Sequence, residues 1–221
     1  MSRFRFMHRL ALCLILGSAL SGTLSAGSDY DSQKQRAEAG DARAQYNLGL
    51  MYERGKGTER DLRKALQWYE SAAEQGLAQA KHNLGLLYDR GEGIPQNHSR
   101  AAEWYRRAAA QGLASAQVNL GALYYEGKGV EQSYDQAAHW HGKAAAQGNA
   151  SGQYNLGMMY YRGKSVDRDI VQAHKWLNLA AAQGREDAAE KRDEVAQRME
   201  PGQIEQAQRL ASEWRPRESG H

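Results

Sequence analysis

The stretch Asn83-Leu84-Gly85-Leu86-Leu87-Tyr88-Asp89-Arg90-Gly91-Glu92-Gly93 decides the fold of this chain, because close copies of it occur four times at one spacing. A period of 36 residues, held without insertion, predicts helix–turn–helix repeats that bury their apolar faces against their neighbours. The residues that mark the period are Asn47, Asn83, Asn119 and Asn155; Gly49, Gly85, Gly121 and Gly157; and Tyr52, Tyr88, Tyr124 and Tyr160.

Each repeat reads as two helices, which we call the A helix and the B helix. In the first repeat the A helix is predicted over residues 42–54, where apolar residues recur at helical spacing on one face. Gly55 is suited to end it, because glycine adopts the left-handed conformation at low cost. The B helix is predicted to begin after a residue that caps free amide groups with its side chain. The four cap residues are Asp61, Asn97, Ser133 and Asp169.

A glycine in the middle of every A helix is unusual, since glycine there costs about 1 kcal/mol relative to alanine. Its recurrence predicts a close approach of the two helices, with a bulky tryptophan or tyrosine of the B helix as the partner. The asparagine two residues earlier is expected to be a buried residue that bonds backbone groups, with a ligand contact as the alternative.

The predicted organisation is all-α, a right-handed α-α superhelical solenoid with helical caps. Its segments are a signal peptide (residues 1–26), an N-terminal cap (27–40) with a helix over 33–39, four repeats (41–76, 77–112, 113–148 and 149–184), C-terminal capping helices (185–214) and a disordered tail (215–221).

The first 26 residues have a basic start, a short apolar core and small residues near Ala26, which is the pattern of a secretory signal peptide. Cleavage after Ala26 would remove three arginines, no acidic residue and Cys13, the only cysteine. The remaining 26 basic and 26 acidic residues balance, so the composition does not favour a nucleic-acid binder.

The repeated residues resemble the Sel-one-like repeat (SLR) family, a branch of the tetratricopeptide-like helical repeats. In the first repeat the matching pieces are residues 44–49, Tyr52, residues 55–57 and Trp68 with the following alanines. The resemblance implies an adaptor that binds other proteins, often at the cell envelope, and it implies no common catalytic residues.

The histidines do not form a recognisable metal motif. His139 and His141 lie two residues apart on one helix and therefore point in nearly opposite directions, whereas helical metal pairs use a spacing of four. We therefore predict no metal site, no cofactor and no catalytic residues.

Candidate binding residues lie on the A-helix face that varies among repeats. In tetratricopeptide-like repeats the A helices line a concave groove, and aromatic residues and methionine are common at interfaces. Packing between adjacent A helices is the alternative, and it weighs most for Tyr154 and Met158. The predicted groove residues are Tyr46, Leu50, Glu53, His82, Leu86, Asp89, Tyr125, Tyr154, Met158 and Tyr161.

The sequence therefore predicts an exported, non-enzymatic adaptor or regulator that binds a protein or peptide in the periplasm of a Gram-negative bacterium, without membrane insertion after signal cleavage. Two alternatives remain open at this point: a secreted factor acting on host or neighbouring-cell proteins, and a cell-wall-directed hydrolase or penicillin-binding module. The sequence leaves the identity of the partner and the oligomeric state open.

Overall fold

A computed structural model of the chain describes residues 29–216, which are helical with no strand in that range. The predicted signal peptide and most of the predicted tail lie outside the described residues. The helices are α1 (residues 29–38), α2 (Ala42–Arg54), α3 (Leu62–Glu74), α4 (Ala78–Arg90), α5 (His98–Ala110), α6 (Ala114–Glu126), α7 (Tyr134–Ala146), α8 (Ala150–Arg162), α9 (Ile170–Ala181), α10 (Glu186–Ala196) and α11 (Pro201–Glu213).

The α-α superhelical repeat fold is confirmed, with α2, α4, α6 and α8 as the A helices and α3, α5, α7 and α9 as the B helices. All four predicted N-caps of the B helices are also confirmed. Asp61 and Asp169, for example, each accept hydrogen bonds from two backbone amides of the first turn. The short side-chain acceptors therefore define where each B helix begins.

The described chain forms two compact units, whose boundary lies within α4. The first unit comprises residues 29–80 with Glu92–Pro95, and the second comprises Lys81–Gly91 with residues 96–216. Each unit has a core of small and medium apolar side chains contributed by paired A and B helices, including Ala44 and Leu48 in the first and Ala116 and Leu120 in the second.

The mid-helix glycines allow the close approach that the sequence predicts. A β-carbon added at Gly85 would lie 2.4 Å from the ring of Tyr105, and one added at Gly49 would lie 2.6 Å from Tyr69. The tyrosine alternative is therefore confirmed in the first two repeats, where the neighbouring Trp68 is only half-buried. It is wrong in the third and fourth repeats, where Gly121 meets His141 and Gly157 meets Leu177. We call the contacting residue the central B-helix position, which is occupied by Gln33 on α1 and by Tyr69, Tyr105, His141 and Leu177 in the four repeats.

Two of the recurring asparagines depart from the predicted role. Asn47 and Asn119 are half-buried, and their side chains bond other side chains. Asn47 donates to Gln33 at 3.2 Å, and the amide nitrogen of Asn119 lies 3.2 Å from Nε2 of His82. These two asparagines therefore link side chains of neighbouring helices.

Pairs of glutamines, which the sequence did not predict, form a second repeated connection. Gln75 donates to Gln45, Gln147 to Gln117 and Gln183 to Gln153, each at 2.8 Å. In the second repeat Lys81 takes the place of the acceptor and donates to Gln111 at 2.8 Å. The acceptor of each glutamine pair is buried, so the bond gives its side-chain oxygen a partner inside the core.

The N-terminal helix extends further than predicted. Residues 29–32 are helical ahead of the predicted start at 33, and Tyr30 there packs edge-on against Tyr52 and shares a 2.7 Å hydrogen bond with its hydroxyl. Two helices occupy the predicted C-terminal capping segment. Helix α10 ends at Ala196, and tight turns bring Met199 back against the core of the last repeat before α11 begins at Pro201.

His141 is the central residue of the third repeat and an unusual core member. Its side chain is 2% exposed, and its Nδ1 atom has no hydrogen-bond partner. Burial lowers the pKa of His141 to about 4, because a charged imidazolium would lose its hydration there. The residue is therefore neutral at physiological pH.

The glycine contact makes a direct prediction about stability. We expect Gly85→Ala to lower the unfolding free energy by about 1–3 kcal/mol, because the new methyl group would overlap the fully buried Tyr105 ring. Urea denaturation measures the change. The control is Gly142→Ala in α7, where no atom lies within 4 Å of the added carbon. This variant should gain up to about 1 kcal/mol from helix propensity, and equal losses in both variants would contradict the packing role.

The burial of His141 predicts a loss of stability in mild acid. The unfolded state takes up a proton near pH 6.5, but the folded state does so only near pH 4. Stability from the neutral ring is therefore present above pH 6.5 and falls by about 2 kcal/mol between pH 7 and pH 5.

Denaturation measures the unfolding free energy at pH 7 and at pH 5. The difference between the two values should be smaller for His141→Leu than for the parent chain. Leucine is the residue that the fourth repeat has at this position, as Leu177. Burial also lowers the pKa of His82 and of His174, so these residues should account for part of the remaining slope. His139→Leu, at an exposed position of the same helix, should keep the full pH dependence. An unchanged slope in His141→Leu would refute the assignment.

Candidate functional site

The ten predicted groove residues lie on the A helices as expected, but they differ in surroundings. Nine of them are half-buried, and Met158 is buried, with 7% of its surface exposed. Met158 packs with Leu177 and Val195 in the core of the last repeat. This placement agrees with the packing alternative for Met158.

In the first repeat two of the three predicted groove residues, Tyr46 and Glu53, contact Tyr69 of the B helix. The Tyr69 hydroxyl donates to Glu53 at 2.5 Å, and the Tyr46 ring lies 5.8 Å from the Tyr69 ring. Leu50 borders a pocket of about 260 Å³ in the first unit, together with Gln33 and the asparagine that donates to it. Glu53 is therefore held by an internal bond.

The second repeat has the same arrangement with different side chains. Asp89 lies 2.8 Å from Nδ1 of His98 and accepts a longer bond, 3.4 Å, from the Tyr105 hydroxyl. Burial, with a smaller contribution from the charge of Asp89, raises the pKa of Tyr105. The ring of His82 lies 5.7 Å from that of Tyr105, and its pKa is lowered by burial. Leu86 lies half-buried on the same face.

In the last two repeats tyrosines replace the acids at this helix end. The Tyr125 ring packs 5.2 Å from Tyr134, and its hydroxyl accepts a 3.0 Å hydrogen bond from Arg162. The Tyr161 hydroxyl donates to Glu194 at 3.2 Å. The pKa of Glu194 is lowered, chiefly by its bond from Lys191 and then by the bond from Tyr161.

The second unit brings three of the predicted residues together around one pocket of about 150 Å³. Tyr125, Tyr154 and Met158 line it, and Tyr161 does not. The predicted groove set does not include the other lining residues, which are Ala122, Glu126, His141, Asn155, Met159 and Arg162. The pocket thus combines aromatic and thioether groups with a buried imidazole, a guanidinium and a carboxylate.

A comparison among the repeats would have revealed two of the missed residues. Leu50 and Leu86 align with Ala122, and Tyr69 and Tyr105 align with His141. The third repeat therefore has a smaller side chain at two positions that face one another across the helix pair. Such a double reduction indicates either a cavity or a binding site.

The side chains of the pocket can bind a small group by apolar contact and by hydrogen bonds. A volume of this size accommodates one ring, and its polar groups can donate and accept hydrogen bonds. Within residues 29–216 there is no group of three or more His, Cys, Asp or Glu side chains placed to hold a metal ion. Over the same residues, no helix has the length and apolar character needed to cross a membrane.

Comparison with known proteins gives the family. The Sel1 repeat model matches residues 42–77, 78–113, 114–149 and 150–184. A 43-residue segment is 44% identical to the putative sel1-like repeat-containing protein L18 of Acanthamoeba polyphaga mimivirus, a match that covers 20% of this chain and 7% of that protein.

Two solved structures extend the similarity over most of the chain. The first is c5321, a protective antigen present in uropathogenic Escherichia coli strains displaying an SLR fold, at 39% identity and a TM-score of 0.75. That match covers 83% of this chain but only 40% of c5321. A Sel1 repeat protein from Oxalobacter formigenes is 34% identical with a TM-score of 0.66, covering 75% of this chain and 72% of the other.

Proteins of this repeat type are in general non-catalytic interaction modules. The repeats therefore indicate a helical repeat protein that takes part in protein–protein interactions. The four consecutive matches span residues 42–184, and the predicted SLR resemblance is confirmed. The chain therefore belongs to the Sel1 repeat family.

Proposed function

We propose that this chain is an exported, non-catalytic adaptor or regulator that binds a protein or peptide in the bacterial cell envelope. The repeat family supports the interaction role in general terms. The finer assignment depends on which surface of the chain is available to a partner, and on the first 26 residues.

The observation that carries the binding role is the set of partly exposed tyrosines in the second unit. Tyr125, Tyr154 and Tyr161 are half-buried, and each ring or hydroxyl contacts at least one arginine. Arg162 bonds Tyr125, and Arg185 lies 4.3 Å from the centre of the Tyr154 ring. Tyrosine and arginine are the residue types most enriched among those that dominate binding energy at interfaces.

The internal bonds of the acidic residues in the first two repeats support placing the site at the tyrosines of the second unit. Glu53 is bonded to Tyr69, and Asp89 to His98 and Tyr105. A partner that used these carboxylates would have to break internal bonds first. The tyrosines of the last two repeats present ring surface in addition to their bonded hydroxyls, so they are the better candidates for contact.

The export part of the proposal rests on the pattern of residues 1–26, in which a basic start precedes a short apolar core. Removal of this segment leaves equal numbers of basic and acidic residues. A chain of balanced charge is suited to a specific partner surface more than to general attraction by a polyanion.

A second candidate function is a secreted factor that acts on host or neighbouring-cell proteins. The observation that favours it is the 39% identity with c5321, which is described as a protective antigen present in uropathogenic strains. This candidate uses the same tyrosine surface and differs in where the protein is found.

Partner capture tests the binding role. We expect the double variant Tyr125→Ala with Tyr161→Ala to weaken binding of a partner, identified by affinity purification from the cell envelope with mass spectrometry, by about 100-fold, since two interface anchors are lost. The matched control is Tyr124→Ala with Tyr160→Ala, which removes the neighbouring tyrosines of the repeated face. If the control loses binding as strongly, or if the test variant unfolds, the assigned surface is wrong.

Fractionation tests the location. We expect the mature chain in the periplasmic fraction, beginning at Gly27, because cleavage is predicted after Ala26. Recovery of the same mature chain mainly from the culture medium would favour the secreted factor. A full-length chain confined to the cytoplasm would refute export for both candidates.

A further inference from the structure

The pocket of the third repeat lies where the second repeat holds one of its own tyrosines. Tyr105 is fully buried, with its ring against Gly85 and its hydroxyl directed at Asp89 and the Asn119 side chain. One period later, Tyr125 stands in the place of Asp89 and Asn155 in the place of Asn119. Both of these residues line the pocket.

The third repeat keeps the space for this tyrosine but lacks the tyrosine itself. Gly121 preserves the close approach, since an added β-carbon there would lie 2.7 Å from His141. The imidazole is shorter than a phenol ring, and Ala122 replaces the leucine of the first two repeats. These two reductions account for a pocket at this place.

The first unit offers an independent comparison. Its pocket adjoins Gln33, which occupies the central B-helix position and is not a tyrosine either. Three further lining residues, Asn47, Leu50 and Arg54, correspond in the repeat alignment to Asn155, Met158 and Arg162. There, however, Gln33 accepts a hydrogen bond from Asn47. At the third repeat the buried Nδ1 of His141 has no partner.

We propose that the third-repeat pocket binds the phenol side chain of a tyrosine from a partner protein. The inference rests on the proposed partner-binding function and names the group that is recognised. A volume of about 150 Å³ is of the size that holds a benzene ring, and the thioethers of Met158 and Met159 provide favourable contacts for an aromatic guest.

The polar groups select a hydroxyl-bearing, uncharged ring. Nδ1 of His141 is enclosed against Gly121, so the hydroxyl of the guest pairs with the polar side chains that line the pocket, Asn155, Glu126 and Arg162. A phenol can bond such groups as donor or acceptor. His141 is neutral at physiological pH because burial lowers its pKa to about 4. Arg162 and Glu126 both line the pocket with opposite charges, which favours a neutral guest over an anion or a cation.

The direct test uses N-acetyltyrosinamide as the probe and the chain as it exists. Its binding is followed through the backbone amide signals of Ala122 and Asn155 in two-dimensional NMR spectra. We expect saturable shifts, and binding about five-fold or more weaker for N-acetylphenylalaninamide, which lacks one hydrogen bond to a polar group of the pocket. Equal affinities would reveal an apolar cavity only and would overturn the inference, as would the absence of saturable shifts.

Variants test the location. His141→Tyr should abolish probe binding by filling the pocket with the residue that the first two repeats carry against the same glycine. Ala122→Leu, which restores the leucine of those repeats, should weaken binding and gives a second readout if the tyrosine variant fails to fold. His139→Tyr, at an exposed position of the same helix, should bind normally. Unchanged binding in a folded filling variant would overturn the inference.

The two proposals fail in different ways. A partner captured equally by the parent chain and by folded His141→Tyr would overturn tyrosine recognition while leaving the adaptor function intact. Saturable, tyrosine-selective probe binding together with failure of the chain to capture any envelope protein would uphold the pocket and count against the adaptor function.

Discussion

The contact between the glycine of each A helix and the central side chain of its B helix is the constraint on which the repeats depend. Glycine in a helix costs about 1 kcal/mol, whereas burying an aromatic side chain removes about 150–250 Å² from water and contributes about 4–6 kcal/mol as an upper estimate. The close approach is therefore strongly favourable where tyrosine is the partner. It also sets how near the two helices lie, and hence which side chains of the A helix reach the core.

The same contact explains why recognition is assigned to the later repeats. With Tyr69 or Tyr105 at the centre, the space is filled and the acid at the end of the A helix is bonded to the tyrosine hydroxyl. With His141 at the centre, a pocket lined by tyrosines and methionines remains, and a buried nitrogen lacks a partner. The central position, together with Ala122, thus determines whether the space between the two helices is filled or open.

The candidate site was only partly predictable, for a physical reason. Variation among repeats identified Tyr125, Tyr154 and Met158, which do line the pocket. It missed His141 because the search compared positions on the A-helix face, while a cavity depends on the combined size of side chains from two helices. It passed over Ala122, which lies on that face, because alanine is depleted at interfaces. Arg162 was missed because a basic residue at a helix end has no distinctive pattern, and only the fold brings it to the Tyr125 hydroxyl.

The sequence by itself determined the period, the family, the class of fold, the starts of the B helices and the close approach at the mid-helix glycines. These follow from local chemistry repeated at a fixed spacing: caps, helical periodicity and a residue without a side chain. The tertiary structure decided which side chain meets each glycine, how the buried glutamines pair and where a pocket remains. Those features depend on distances between atoms that are far apart in the chain, and small differences in side-chain volume determine whether the space between two helices is filled or open.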